Sequence, residues 1–417
     1  MIRLFHPSVA PHVQQAALAL HEAGQLDQLM TGIINDPNDK VQHLIIQMGR
    51  LLGQDWSREF SRRSVTCIPR DKITTQPWGE LLRAGFSRLD RDQRLSDLLW
   101  EQTEGHFDRH IAHSLHQDLT GVYGWEYSSR HTFKQAKALG LKVAYEMPAP
   151  EPVFVHELLE SERAKFPELD SPYARHVARR EQMWIDRRHQ EWDCADVVIA
   201  ASDFTRKSYA KAGWDTDNVQ VVHLGAPDPV DVTVAQSGGN KPELPLRLIW
   251  AGTFNVRKGA HYVLDAWREY HLGQLARLDV YGSNALPPRL TETLPDGVHL
   301  HGSIPRRDLW QHFQQADALL FPTLCDGYGM VVTEAWSQGL PVITTDRAGV
   351  AERLKANQTG KIIEAASATA IAEAVEWCHQ QREALIAMRL PSRNAAAEWT
   401  WSHYRSALRA ALKDYFK

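Results

Sequence analysis

The chain has 417 residues, 43% hydrophobic and 24% charged, an ordinary balance for a globular protein and too long for one typical core. Its net charge of −4, from 47 basic and 51 acidic residues, excludes a global attraction to nucleic acid or anionic lipid. The cysteines Cys67, Cys194, Cys325 and Cys378 are widely spaced with no C-x-x-C pair, and read as reduced thiols of a cytoplasmic protein.

In chain order, Met1–Pro7 contains a first strand, Arg3–Phe5, whose apolar run is too short for a signal peptide. No stretch approaches the roughly 20 apolar residues of a membrane span, so any membrane contact is expected to be peripheral. Residues 48–63 place Met48, Leu51, Leu52, Trp56 and Phe60 on one helical face, with Arg50, Arg58, Arg62 and Arg63 nearby. Two readings stay open for this helix: an apolar face turned to the core, or a face resting on an anionic membrane that holds a lipid-linked acceptor. Strands are then expected at Val65–Ile68, Gly121–Tyr123, Lys142–Tyr145, Asp196–Ala200 and Gln220–His223. Between strand and helix lies Gly124-Trp125-Glu126-Tyr127, which reads as an aromatic and acidic platform for a sugar or as the lead-in to a plain cap at Ser128. The run Ala174–Arg188, rich in Arg and His, reads as a solvated helix face.

Residues 229–245, rich in Pro and Gly and without helical period, are the expected linker. Beyond it, strands at Arg247–Ala251, Leu278–Tyr281, Val298–His301, Ala318–Phe321, Val342–Thr345 and Lys361–Ile363 alternate with helices. Those helices are expected at Tyr262–Tyr270, Arg307–Gln315, Val331–Gln338 and Val350–Lys355. Such alternation predicts an α/β fold with a doubly wound parallel sheet, which binds ligands at the carboxyl ends of its strands. Residues 394–417 predict a terminal helix bearing Trp399, Trp401, Tyr404, Leu408, Ala411 and Leu412 on one stripe. The expected division is 1–228, the linker, 246–393 and a closing helix over 394–417.

Chemistry concentrates in Phe321–Thr344. A buried strand ends at Phe321; a loop follows with Asp326, Gly327, Tyr328 and Gly329; a helix begins near Met330 and stops at Gly339. The glycines let backbone approach a ligand, and the free N–H groups of the helix start suit a diphosphate or sugar hydroxyls. Glu334, about one turn into that helix, can accept hydrogen bonds from vicinal hydroxyls.

This stretch resembles the signature of glycosyltransferase family 4: a carboxylate, Gly-aromatic-Gly, a Glu eight positions after the first, and a helix ending Gly-x-Pro-Val. Trp250-Ala-Gly252-Thr253-Phe-Asn-Val-Arg257-Lys258-Gly259 resembles that family's phosphate-binding turn. Val280-Tyr-Gly282, Leu300–Ile304 and Ala316–Pro322 fall where the family places its next strand ends. Ala195–Thr205 and Val222–Pro227 look like the last strands of its first domain. The resemblance covers about residues 190–365 well and the first 190 loosely.

It implies two Rossmann-like domains facing a cleft, the GT-B fold, with an acceptor domain first and a donor domain second, the terminal helix crossing back. It implies retaining transfer of a hexose-type sugar from a nucleotide-sugar, of UDP or GDP type, to a saccharide or lipid-linked acceptor in polysaccharide biosynthesis, at the inner face of the membrane or free in the cytoplasm. Glu334 would hold the donor's ribose, Asp326 would stand near the transferred sugar, and Lys258 would neutralise the diphosphate. Ser303 and Ile304 would meet the base, and the backbone of Gly327, Tyr328, Gly329 and Met330 the sugar and phosphate, with Gly252, Thr253 and Gly282 at the neighbouring strand ends. Neither a metal nor another cofactor is implied.

The chain departs from the family in four places. Thr253 stands where the family has Arg, and Arg257, beside Lys258, reads either as the substitute cation or as an exposed helix-start residue. Asp326 replaces the usual Glu. The first domain's central strand ends in Glu146-Met-Pro148 instead of His, leaving Glu146 or His156 as acceptor-side candidates alongside Trp125 and Glu126. His6-Pro-Ser-Val-Ala-Pro11-His12 replaces a glycine-rich loop. The alternatives are a nucleotide-sugar-binding pseudoenzyme, or an epimerase or hydrolase on the same fold.

Overall fold

The computed structural model describes residues 1–51, 57, 60, 63–77, 79, 94–237 and 245–416. Among them, thirteen strands form two parallel sheets. The first holds β1 (Ile2–Phe5), β2 (Leu26–Thr31), β3 (Ile73–Thr75), β4 (Gly121–Trp125), β5 (Lys142–Met147), β6 (Val197–Ala200) and β7 (Val219–Val221), in the order β3-β2-β1-β4-β5-β6-β7. The second holds β8 (Leu246–Ala251), β9 (Ala276–Tyr281), β10 (Val298–Gly302), β11 (Ala318–Phe321), β12 (Val342–Thr345) and β13 (Gly360–Ile363), in the order β10-β9-β8-β11-β12-β13. Every residue of β1, β4, β6, β11 and β12 is buried, as expected of parallel strands covered by helices on both faces. Both sheets reverse their winding once, between β1 and β4 and between β8 and β11, and crevices open at the carboxyl ends of such pairs.

Three expectations are corrected. Val65–Ile68 is a loop, and β2 and β3 take the places beside β1. Pro69 follows that run and has no N–H to give to a ladder, whereas β2, Leu-Asp-Gln-Leu-Met-Thr, hides its strand character behind two polar residues. Val350–Lys355 is a short 3-10 turn, Gly349–Arg353. The terminal segment is two helices, Arg389–Ala397 and Trp401–Leu412, broken at Trp399–Thr400. There the chain pairs with the first domain: Ala226 N–H donates to the Trp399 carbonyl at 2.9 Å, and Trp401 N–H to the Ala226 carbonyl at 3.2 Å. Trp401–Leu412 then packs on the helix Pro11–Glu22, with Tyr404, Leu408 and Leu412 buried and Arg405 and Arg409 paired with Glu22. The proposed membrane face over 48–63 falls for the most part outside the described residues, as do residues 238–244 of the linker. Among the described residues no helix is long and apolar enough to cross a membrane.

The two sheets meet at Gly327. Its carbonyl accepts from Ser202 Oγ at 2.5 Å and Thr205 Oγ1 at 3.1 Å, and a Cβ on Gly327 would collide with the Pro148 carbonyl oxygen. Glu352 accepts from Phe204 N–H at 2.6 Å, and Glu162 meets His261 Nε2 at 3.0 Å across the same interface. Two cavities open between the domains, one of them lined by Gly327 itself.

Candidate functional site

The larger cavity, about 820 Å³, lies over both winding reversals. The loop after β1, Ser8–Pro11, walls one side; Gly252, Lys258, Ile304, Arg306, Val331 and Glu334 wall the other. Local backbone places Lys258 there. The 3-10 turn Val256–Lys258 starts at Asn255, whose Oδ1 accepts the Lys258 N–H at 3.0 Å, and ends at Gly259 with φ +80°, where a Cβ would strike the Pro322 carbonyl. Gly252, at φ +112°, makes room for the ammonium: a Cβ on it would lie 2.9 Å from Lys258 Nζ. Burial lowers the Lys258 pKa and Arg257 lowers it further, while Asp326 and Glu334 pull it back.

Glu334 sits in the helix Met330–Ser337, whose N-terminus is capped by Gly329 at φ +89° with no side-chain hydrogen bond. Burial raises its pKa, and Arg306, 3.1 Å from Glu334 Oε1, and Lys258 oppose the rise. The strand ends behind them are stitched through backbone: Gly252 N–H donates to the Tyr281 carbonyl at 2.8 Å and Gly282 N–H to Gly302 at 2.9 Å. A Cβ on Gly282 would collide with the Gly252 carbonyl, so Gly282 supports the cleft from below. Thr253 bonds Ser283 at 3.4 Å beside the cleft, and Ser303 is exposed at its edge. Tyr328 lines neither cavity: its ring is buried 6.0 Å from His223, its N–H donates to Asp326 Oδ1 at 3.2 Å and its carbonyl accepts from Val350 N–H at 2.7 Å.

The smaller cavity, about 390 Å³, lies on the far side of the Gly327 contact. Asp326 and Arg257 open into it, facing Tyr127, Trp184 and Arg188 of the first domain. Arg257 Nη1 donates to the Cys325 carbonyl at 2.8 Å and lies 3.5 Å from Asp326 Oδ2. Burial works against its charge, and Asp326 and Cys325 together more than compensate, so its pKa is raised. Arg257 therefore lines a different cavity from Lys258. In a 3-10 turn successive side chains leave the axis about 120° apart, and these two enter different cavities.

The four acceptor-side candidates do not gather, and none lines either cavity. Trp125 is core, its ring 5.3 Å from His6 and 4.9 Å from Tyr123. Glu146 is buried, accepts from Tyr123 Oη at 2.5 Å, and burial raises its pKa to about 7. Glu126 pairs with Arg188 at 2.6 Å, and His156 pairs with Glu181. The partners Arg188 and Glu181 line the smaller cavity instead. Sequence reading missed them, along with Arg306, Trp184 and the Ser8–Pro11 loop. Arg306 was within reach, two residues beyond the Ile304 expected at the base; Arg188 and Trp184 were not, inside a helix read as solvated.

Residues 245–381 match the family model described as "Glycosyl transferases group 1". The chain is 26% identical over 245 residues to the GDP-mannose-dependent alpha-(1-6)-phosphatidylinositol monomannoside mannosyltransferase of Mycobacterium tuberculosis, covering 54% of this chain and 62% of that one. It is 26% identical over 140 residues to the amylovoran biosynthesis glycosyltransferase AmsK of Erwinia amylovora, covering 31% of this chain and 34% of that one. The matches thus span about half the length of these curated relatives. Among solved structures, sucrose-phosphate synthase from Thermosynechococcus elongatus superposes with a TM-score of 0.64 at 16% identity, covering 100% of this chain and 98% of that one. Anabaena HepE in complex with UDP superposes with a TM-score of 0.59 at 13% identity, covering 99% of each. In fold the chain is a GT-B protein of two Rossmann-like domains, and its second domain matches the glycosyl transferases of group 1.

Proposed function

We propose that the protein is a retaining glycosyltransferase that moves a hexose-type sugar from a nucleoside-diphosphate sugar to a saccharide or lipid-linked acceptor in polysaccharide assembly. The observation that carries this reading is the cleft of about 820 Å³ in which Lys258 and the buried Glu334 meet the open start of the helix Met330–Ser337. Glu334 takes the ribose hydroxyls from Arg306, and the edge at Ser303 and Ile304 meets the base. Lys258 and the helix start take the diphosphate, whose charge grows as it leaves. The bond from the anomeric carbon to the diphosphate oxygen breaks with its electron pair on that oxygen. The acceptor hydroxyl oxygen bonds to the same carbon, and its proton passes to the departing phosphate. Asp326 stabilises the positive charge that develops on the sugar. Residues 1–228 serve the acceptor and 246–393 the donor, without metal or further cofactor. The mannosyltransferase and glycosyltransferase activities of the mycobacterial and Erwinia relatives support transfer of this kind.

The test is thermal stability with UDP, GDP and their sugars, followed by product analysis with and without EDTA. Ligand binding raises the melting temperature by mass action. One nucleoside diphosphate is expected to stabilise the protein, and transfer is expected to keep the donor's anomeric configuration and to survive EDTA. No stabilisation by either nucleotide sinks the reading. Binding with only hydrolysis or epimerisation moves it to those activities, and binding with no turnover to a pseudoenzyme.

A further inference from the structure

The smaller cavity is a built chamber. Its volume, about 390 Å³, falls within the ordinary range of small-molecule sites. One wall is apolar, formed by Val155 and Leu159 of the helix Pro152–Lys165 and by Val177 and Ile185 of the helix Pro172–Trp192. The opposite wall is polar, formed by Asp326 and Arg257. Between them stand Trp184 and Arg188, and each carries a buried donor without a hydrogen-bond partner: the Trp184 indole N–H and the Arg188 Nε–H. Arg188 is held rigidly, 2.6 Å from Glu126 and 4.3 Å over the Tyr127 ring, with only 8% of its side chain exposed. Buried donors in native proteins find acceptors, so two orphans in one chamber call for a ligand that brings oxygens.

We infer that this cavity binds the glycosyl acceptor, and that the acceptor is a glycoside with an apolar substituent: ring oxygens on Trp184 and Arg188, apolar part against Val155, Leu159, Val177 and Ile185. This rests on the reading of the larger cleft as the donor site. Charge disfavours an anionic ligand, because both cations lining the cavity are already paired, Arg188 with Glu126 and Arg257 with Asp326. Position favours the acceptor over an unrelated ligand. Asp326 lines this cavity and its charge also reaches Lys258 of the donor cleft, so an acceptor hydroxyl at Asp326 lies beside the place where the donor sugar is expected to arrive.

The experiment measures binding of methyl and hexyl glycosides of glucose, galactose and mannose by calorimetry and saturation-transfer NMR, with saturating UDP or GDP present. Saturation is expected on both ring and alkyl protons, with a hexyl glycoside at least about tenfold tighter than its methyl counterpart. Leu159→Trp, which fills the apolar wall, is expected to weaken the hexyl glycoside at least about tenfold while nucleoside diphosphate affinity stays within about twofold. Trp184→Phe is expected to weaken methyl and hexyl glycosides equally, since it removes the donor to the ring and leaves the wall. Val177→Phe repeats the filling test from the other helix. Absence of hexyl-glycoside binding overturns the proposal, as does binding that neither filling variant disturbs. Weaker nucleotide-sugar binding in Leu159→Trp with nucleoside diphosphate binding intact also overturns it, by giving the cavity to the donor's own sugar. If wild type binds no nucleoside diphosphate, the donor reading fails instead.

Discussion

Lys258 and Arg257 are consecutive residues of one short turn, yet they serve two cavities that differ in almost every property. The larger cleft is assembled from strand ends, glycines and one helix start, at the two places where parallel winding must open a crevice. Its charged groups stand close together: Lys258 and Glu334 act on each other's protonation, and Arg306 acts on that of Glu334. The smaller cavity is assembled from the flanks of two long helices, and its charges are matched within it or just behind it. A crevice of the first kind is poised for a charged ligand, and a chamber of the second kind for a neutral one. Adjacent positions diverge because a three-residue 3-10 turn cannot aim neighbours the same way.

The comparison makes graded predictions. The largest concerns a group that lines neither cavity. Glu146 keeps its proton in the folded state to a pKa of about 7 because it is buried among Tyr123, Trp125 and Tyr404. An unfolded glutamate releases it near the ordinary value, so wild-type stability from this group falls as pH rises through the window between the two, by at most roughly 3 kcal/mol. His6 and His12, pushed by burial to about 4 and about 3, act in the opposite direction below neutrality, so the informative quantity is a difference. Denaturant melts at pH 5 and pH 8 should show Glu146→Gln gaining on wild type at the higher pH. An identical pH response would return Glu146 to solvent and to the acceptor candidates.

Next, Lys258→Ala should lower turnover roughly 100-fold or more, the scale of losing one preorganised charge-stabilising group. Near-normal turnover in a folded variant would misplace the cleft. Glu334→Ala should raise the donor dissociation constant at least about tenfold, since charge-assisted bonds to the ribose are lost. Titration with the nucleoside diphosphate alone reads this directly, and unchanged affinity would remove Glu334 from the ribose. The smallest effect separates the cavities most sharply. Arg257→Ala should leave nucleoside diphosphate affinity within about twofold, because its guanidinium is held on Asp326 and the Cys325 carbonyl. A loss like that of Lys258→Ala would join the two cations at one phosphate after all.

Periodicity and turn chemistry carried most of the second domain. The spacing of Asp326, Gly327, Gly329 and Glu334 and the breaks at Gly259 and Gly339 are local facts, settled within a few residues by sterics and capping. The six strands of that sheet were legible for the same reason, as short apolar runs between such breaks. The first domain was harder because β2 owes its place to pairing with β1 and β3 to pairing with β2, while Val65–Ile68 has the composition of a strand but no ladder to join. Pairings decided the acceptor side too. His156, Glu126 and Glu146 each met a partner distant in sequence, namely Glu181, Arg188 and Tyr123, and were withdrawn from the surface their local context suggested. The amino-acid sequence alone determined the loop and helix start to which phosphate and ribose binding is assigned by proposal, since these are set within a few residues. Only the tertiary structure decided which cavity each charge faces, because a chamber between helices exists only once both helices have docked.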